Sequence, residues 1–178
     1  MPSQRLVLSV LLAALTGLAG AAPAAAEMLE FPTPQGIKSW PKLPDIQDWH
    51  QDQESSLRLN ANSLIPDGVD PAKAEVTIQA RGFSRVNNSL AQMLETDSAA
   101  ATGAQVKKLQ DVADKDGVAF NLYSFAPSGT GNWKAVAYSE EGDTLLAFTL
   151  SARSQAAYET NFPVFVSLIR QYAKDIPW

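Results

Sequence analysis

Cysteine is absent from the 178 residues, and histidine occurs once. The first absence excludes disulfide stapling, thiol nucleophiles, iron–sulfur clusters and thiolate zinc sites. The second excludes a histidine-rich metal site. A chain with no staple of this kind must hold together by burial alone. Basic residues are also in the minority, 14 against 19 acidic, for a net charge of −5, and they are scattered along the chain. A nucleic-acid binder shows a basic stripe or surplus, so nucleic acid is not an expected partner. An electrostatic grip on anionic lipid is disfavoured by the same balance. No residue pattern implies a cofactor.

What is present begins with a leader. Residues 1–26 have the pattern of a secretory signal peptide. Arg5 supplies the positive end, residues 6–18 form an apolar stretch, and Ala22-Pro23-Ala24 and Ala24-Ala25-Ala26 offer small-residue cleavage sites. A retained membrane anchor is the competing reading. Thr16, Gly17 and Gly20 interrupt the stretch and Pro23 ends it, whereas a spanning helix needs about 20 predominantly apolar residues. Cleavage after Ala26 is expected. It leaves one soluble domain of ordinary size, one charge more negative without Arg5, with no further span. The expected location is periplasmic or secreted.

Residues 27–48 form a proline-punctuated segment, with Pro32, Pro34, Pro41 and Pro44. Each proline removes a backbone donor and fixes φ, which disfavours helix or central strand. The pattern predicts an extended arm carrying Leu29, Phe31, Ile37, Trp40 and Leu43. Disordered tails seldom hold that many large apolar groups. The arm therefore lies on its own domain or on something else, and Phe31, Ile37, Trp40 and Leu43 are candidate partner-binding residues.

From residue 49 onward a single α+β domain is expected, to residue 178. Strands are predicted at 49–53 and at 56–64, where Leu57 and Leu59 alternate, followed by a turn at Ile65-Pro66-Asp67-Gly68. Residues 75–83 alternate cleanly, Val76, Ile78 and Ala80 against Thr77, Gln79 and Arg81, so one face packs and the other is at least partly wet. Ser89 and Gln92 have capping-box spacing at the start of a helix over 89–101. Strands follow at 106–112, 118–125, 133–138 and 144–150. The last two are joined by a short polar turn that makes them an antiparallel hairpin. At the C-terminus Ser154 caps a helix, and Asn161 with Pro163 suggests a second piece, a single kinked helix being the alternative. Tyr158, Phe162, Phe165, Val166 and Ile169 form its apolar face. The expected architecture is an α/β/α sandwich. A central antiparallel sheet of about six strands is flanked by the middle helix and the long C-terminal amphipathic helix.

This order resembles the Mog1/PsbP-like family. Trp133-Lys134-Ala135-Val136-Ala137-Tyr138, the turn Glu140-Glu141-Gly142-Asp143 and Leu146-Ala147-Phe148-Thr149-Leu150 are similar to its last hairpin. The helix over 154–172, with Phe165, Ile169 and Tyr172, is similar to its closing helix. The resemblance covers roughly residues 49–174 and is one of pattern, without a diagnostic motif. It implies a non-enzymatic accessory or assembly protein working on a larger complex outside the cytoplasm. It implies no photosystem role, since no metal-binding or photosystem-contacting residue matches.

The remaining chemistry is sparse. His50, within Trp49-His50-Gln51-Asp52, is the one histidine base for a Ser/His/Asp arrangement, but no G-x-S-x-G elbow supplies the serine. A surface histidine is the simpler reading. Asp114, Asp116 and Gly117 resemble part of a calcium loop. Placing Gly117 at the loop's glycine puts Val112 and Tyr123 where acidic ligands belong, so a polar turn is expected. A looser cation site at Glu140, Glu141 and Asp143 is a weaker alternative to a solvated turn. Gly129-Thr130-Gly131 leads into a strand and not a helix, which does not suit a phosphate cradle. Asn87-Asn88-Ser89 fits a glycosylation pattern, although Ser89 serves better as a cap. Of the four tryptophans, Trp133 is expected in the core, and Trp40 and Trp178 are divided between core and contact surface. The expected function is an exported accessory or binding protein of the bacterial envelope, acting through a protein partner and without catalysis. The alternatives are a secreted hydrolase using carboxylates and a small-molecule binder with a pocket between sheet and helix.

Overall fold

The structure, a computed structural model, describes residues 26–34, 36–101 and 103–173. The expected leader, apart from Ala26, and Trp178 lie outside these residues. The elements run β1 (Met28–Thr33), β2 (Gly36–Pro41), β3 (Trp49–Gln51), α1 (Gln53–Leu59), β4 (Asn62–Pro66), β5 (Val76–Ser84), α2 (Leu90–Ala100), β6 (Gln105–Lys108), β7 (Val112–Ala113), β8 (Ala119–Ala126), β9 (Trp133–Glu141), β10 (Thr144–Ala152) and α3 (Gln155–Gln171). The main sheet is antiparallel, in the order β3-β4-β5-β10-β9-β8-β6, with β7 also paired to β8. It has eight strands where about six were expected. The excess comes from short pieces, since the single strand predicted over 106–112 divides into β6 and β7.

The register sorts the central side chains onto two faces. Ile78, Leu150 and Ala135 lie in one cross-strand row, and Ala80, Phe148 and Ala137 in the next. All are fully buried, on the face covered by α3. Phe120, Phe148 and Tyr172 form a ring cluster there, with centroids 4.9 to 5.9 Å apart. Phe165, Leu168 and Ile169 bring the helix down onto it and are fully buried. At about 1.5–3 kcal/mol per large side chain, this contact is a main stabiliser. Helix α3 is continuous through Pro163. Asn161 does not cap a second helix, because its side-chain amide donates to the Ala157 carbonyl at 2.8 Å, one turn back.

The opposite face is covered less completely. Ser89 and Gln92 form the expected capping box at the start of α2. Leu90, Met93 and Leu94 then rest on Phe125, Val136, Tyr138 and Ala147. None of the helix residues is fully buried.

The strand predicted over 56–64 is instead the helix α1 followed by β4. Asp52 accepts the Ser55 N–H at 2.6 Å and starts the helix. Asn60 ends it in the left-handed region (φ 50°), where asparagine is tolerated. The alternating leucines misled because the buried groups are Ser55 and Ser56, while Leu57 is exposed. The Ser56 hydroxyl accepts the Ser63 N–H at 2.9 Å and ties α1 to β4.

The proline-rich segment is a β-hairpin and not a simple extended arm. β1 and β2 pair with Leu29 opposite Trp40 and Phe31 opposite Lys38, turning through Gly36 at φ 120°. Its root is fixed to the domain. Trp40 and Leu43 are buried, and the Asn62 amide donates to the Pro41 carbonyl at 2.9 Å. Gly82 lets the root approach the sheet. A Cβ there would meet Thr144 Cγ2 at 3.3 Å and Pro41 Cγ at 3.5 Å.

Candidate functional site

Between α1 and α2 the sheet is left open. The rows that alternate with the core rows run Arg81–Ala147–Tyr138, Gln79–Thr149–Val136 and Thr77–Ser151–Lys134. Helix α2 covers the Val136–Tyr138 end. Over β5 and β10, the two central strands, Thr77, Gln79, Thr149 and Ser151 form a polar floor, half-buried and without a helix above it. The resulting trough has a volume of about 380 Å³. Arg58 and Leu59 of α1 stand on one side, Asp97 and Ala100 of α2 on the other.

The trough gathers Arg58, Arg81, Lys134 and Arg153 against the acids Glu75 and Asp97. Its local charge thus opposes that of the acidic chain. Each guanidinium is held by a neutral oxygen. Arg81 donates to the Leu59 carbonyl at 2.9 Å, Arg153 to the Ala72 carbonyl at 3.0 Å, and Arg58 to the Ser55 hydroxyl at 3.3 Å. The five ion pairs found among the described residues lie elsewhere and engage none of these four cations. Asp97 is occupied, since its carboxylate accepts from the Tyr138 hydroxyl. Burial, reinforced by Asp97, raises the Tyr138 pKa well above the ordinary tyrosine value, so the phenol stays a proton donor.

The residues singled out in the sequence are dispersed. Phe31 and Trp40 stack on one side of the hairpin, their centroids 5.1 Å apart. Trp40 and Leu43 are buried at the root, Phe31 is half-buried, and Ile37 at the tip is 69% exposed. His50 sits at the sheet edge and donates through Nδ1 to Asp67 at 2.8 Å, while Asp52, its neighbour in sequence, caps α1. Asp114 closes its turn on the Asp116 and Val118 amides. Glu140 pairs with Arg85 at 2.7 Å, whereas Glu141 is buried beside Tyr172, so these two carboxylates serve different surroundings. Trp133 is half-buried against Tyr158, ring centroids 6.0 Å apart, at one wall of an apolar hollow of about 360 Å³. Among the described residues no group of three or more potential metal ligands occurs. No described helix is long and apolar enough to cross a membrane.

An antiparallel sheet with a middle helix on one face and a closing helix on the other defines an α+β sandwich. No family model matches the chain, and no curated protein does. Among solved structures it is similar to PA94 of Pseudomonas aeruginosa, a protein of unknown function, at 12% identity over 84% of this chain and 99% of that one, with a TM-score of 0.45. It is also similar to the Ran-binding protein Mog1p of Saccharomyces cerevisiae, at 14% identity over 84% of this chain and 87% of that one, with a TM-score of 0.41. Both likenesses are distant, and the fold is defined by the strand order and helix placement themselves.

Proposed function

We propose that the chain is an exported, non-catalytic accessory protein of the bacterial envelope that engages a protein partner through the β1–β2 hairpin. One observation carries this reading: the hairpin is anchored at its root and presents Ile37 at its tip, 69% exposed. An aliphatic group at the tip of a hairpin tied to the domain at its root is available to a partner. Trp40 and Leu43 act as the anchor, with Phe31 packed on Trp40, and Ile37, on the opposite face of the ribbon, is the contact.

A photo-crosslinker at position 37 in living cells tests this. The expected result is one discrete adduct in the envelope fraction, absent when the crosslinker is placed instead at exposed Thr130, beyond the Trp133 end of the sheet. A folded, envelope-located protein that yields no adduct overturns the docking. Recovery of uncut chain from the cytosol overturns the export.

The trough favours a second reading, a small-molecule binder with its pocket between sheet and helix. Its volume lies in the range of ligand sites, and several polar groups converge on it. It gives a carboxylate hydrolase less support, because Asp97 is already engaged by Tyr138.

A further inference from the structure

The floor of the trough is the uncovered face of the antiparallel sheet at β5 and β10. Antiparallel sheets commonly pack one face and leave the other to water, with apolar and polar side chains alternating along each strand. Here β5 and β10 bury Ile78, Ala80, Phe148 and Leu150 on one side and present Thr77, Gln79, Thr149 and Ser151 on the other. Such side chains add little to packing. They offer hydroxyl and amide groups, each able to donate and accept a hydrogen bond. Around them stand Arg58, Arg81, Lys134 and Arg153, none in an ion pair with a carboxylate among the described residues. The Arg81 and Arg153 guanidiniums are oriented by backbone carbonyls, which leaves their remaining N–H donors for another acceptor.

We propose that this trough binds a small, hydroxyl-rich organic anion, a sugar acid or sugar phosphate, with its charge on the arginine and lysine rim and its hydroxyls on the threonine, serine and glutamine floor. The rim selects for negative charge and the floor for hydroxyls. The walls formed by α1 and α2 confine the volume to about 380 Å³, the size of a small molecule and not of an extended peptide. Carboxylate and phosphate share the same recognition by guanidinium and ammonium. The inference rests on the reading of the trough as a binding place and is independent of docking at the hairpin.

The full chain is titrated with glucuronate, glucose 6-phosphate, uncharged glucose and an oligoglutamate peptide, each to about 10 mM, ten times a Kd of about 1 mM. Melting temperature and amide NMR shifts are followed together. At least one charged sugar is expected to raise the melting temperature by a few degrees and to shift the amides of Thr77, Thr149 and Ser151. Which of the two does so distinguishes carboxylate from phosphate. The double variant Lys134→Gln/Arg153→Gln is expected to bind about tenfold or more weakly while melting like the parent. Thr149→Val, nearly the same shape without the hydroxyl, is expected to weaken binding without loss of fold. The proposal is overturned if neither charged sugar acts, if glucose acts equally, if only the peptide binds, or if the variants bind as the parent does.

Discussion

The Tyr138–Asp97 pair joins the sheet to α2, a helix with no fully buried residue of its own. Removing the hydroxyl in Tyr138→Phe leaves the Asp97 carboxylate without that donor. The expected loss is about 1–3 kcal/mol in a urea melt, as for a hydrogen bond to a charged group. Tyr138 and Tyr172 also set an alkaline limit. Burial raises both phenols, and carboxylates add to it, Asp97 for the first and Glu141 for the second. Burial alone pushes Tyr158 up to about 12. The unfolded chain ionises these tyrosines near 10, the ordinary value, so above that pH it binds fewer protons than the folded chain. Stability is therefore expected to be insensitive to these groups below about pH 10 and to fall above it. Melts that stay constant to pH 12 would refute the burial of these phenols.

Helices α2 and α3 differ in what holds them. α3 is fastened by Phe165, Leu168 and Ile169, so Phe165→Ala is expected to cost about 3–5 kcal/mol and Ile169→Asp to unfold the domain. A cooperative melt of the soluble Ile169→Asp protein would show the helix misplaced. α2 depends on its cap, and Ser89→Ala is expected to cost about 1 kcal/mol, visible as faster hydrogen exchange within residues 90–100. These two helices, β5 and the β9–β10 hairpin were legible in the sequence, because each has a local signature: a cap, a 3.6-residue stripe, a strict alternation or a tight turn. Helix α1 was not legible. Its leucines imitate a strand, and its buried face is made of Ser55 and Ser56, which carry no hydrophobic signal. Only half of the trough was legible. Thr77, Gln79 and Arg81 announced a wet face on β5. That Thr149 and Ser151 lie beside them, with Arg58 and Lys134 at the rim, depends on pairings between segments far apart in the chain.

For the molecule as a whole, the hairpin and the sheet form one packed body at the hairpin root. Trp40→Ala is expected to cost about 3–5 kcal/mol, whereas Ile37→Asp should stay within about 0.5 kcal/mol of the parent, as surface changes do. Equal losses from both would place the tip in the core as well. The proline pattern of residues 27–48 hid this arrangement, since Pro32 and Pro41 fit the ends and edges of a small two-stranded sheet.

At the centre of the main sheet, β5 meets β10, so that Val76 lies opposite Ala152. The first half of this central pair thus waits, unclosed, for a mate some seventy residues downstream. Closing that pair spans a long loop, so folding of the sheet is expected to wait on the β9–β10 hairpin.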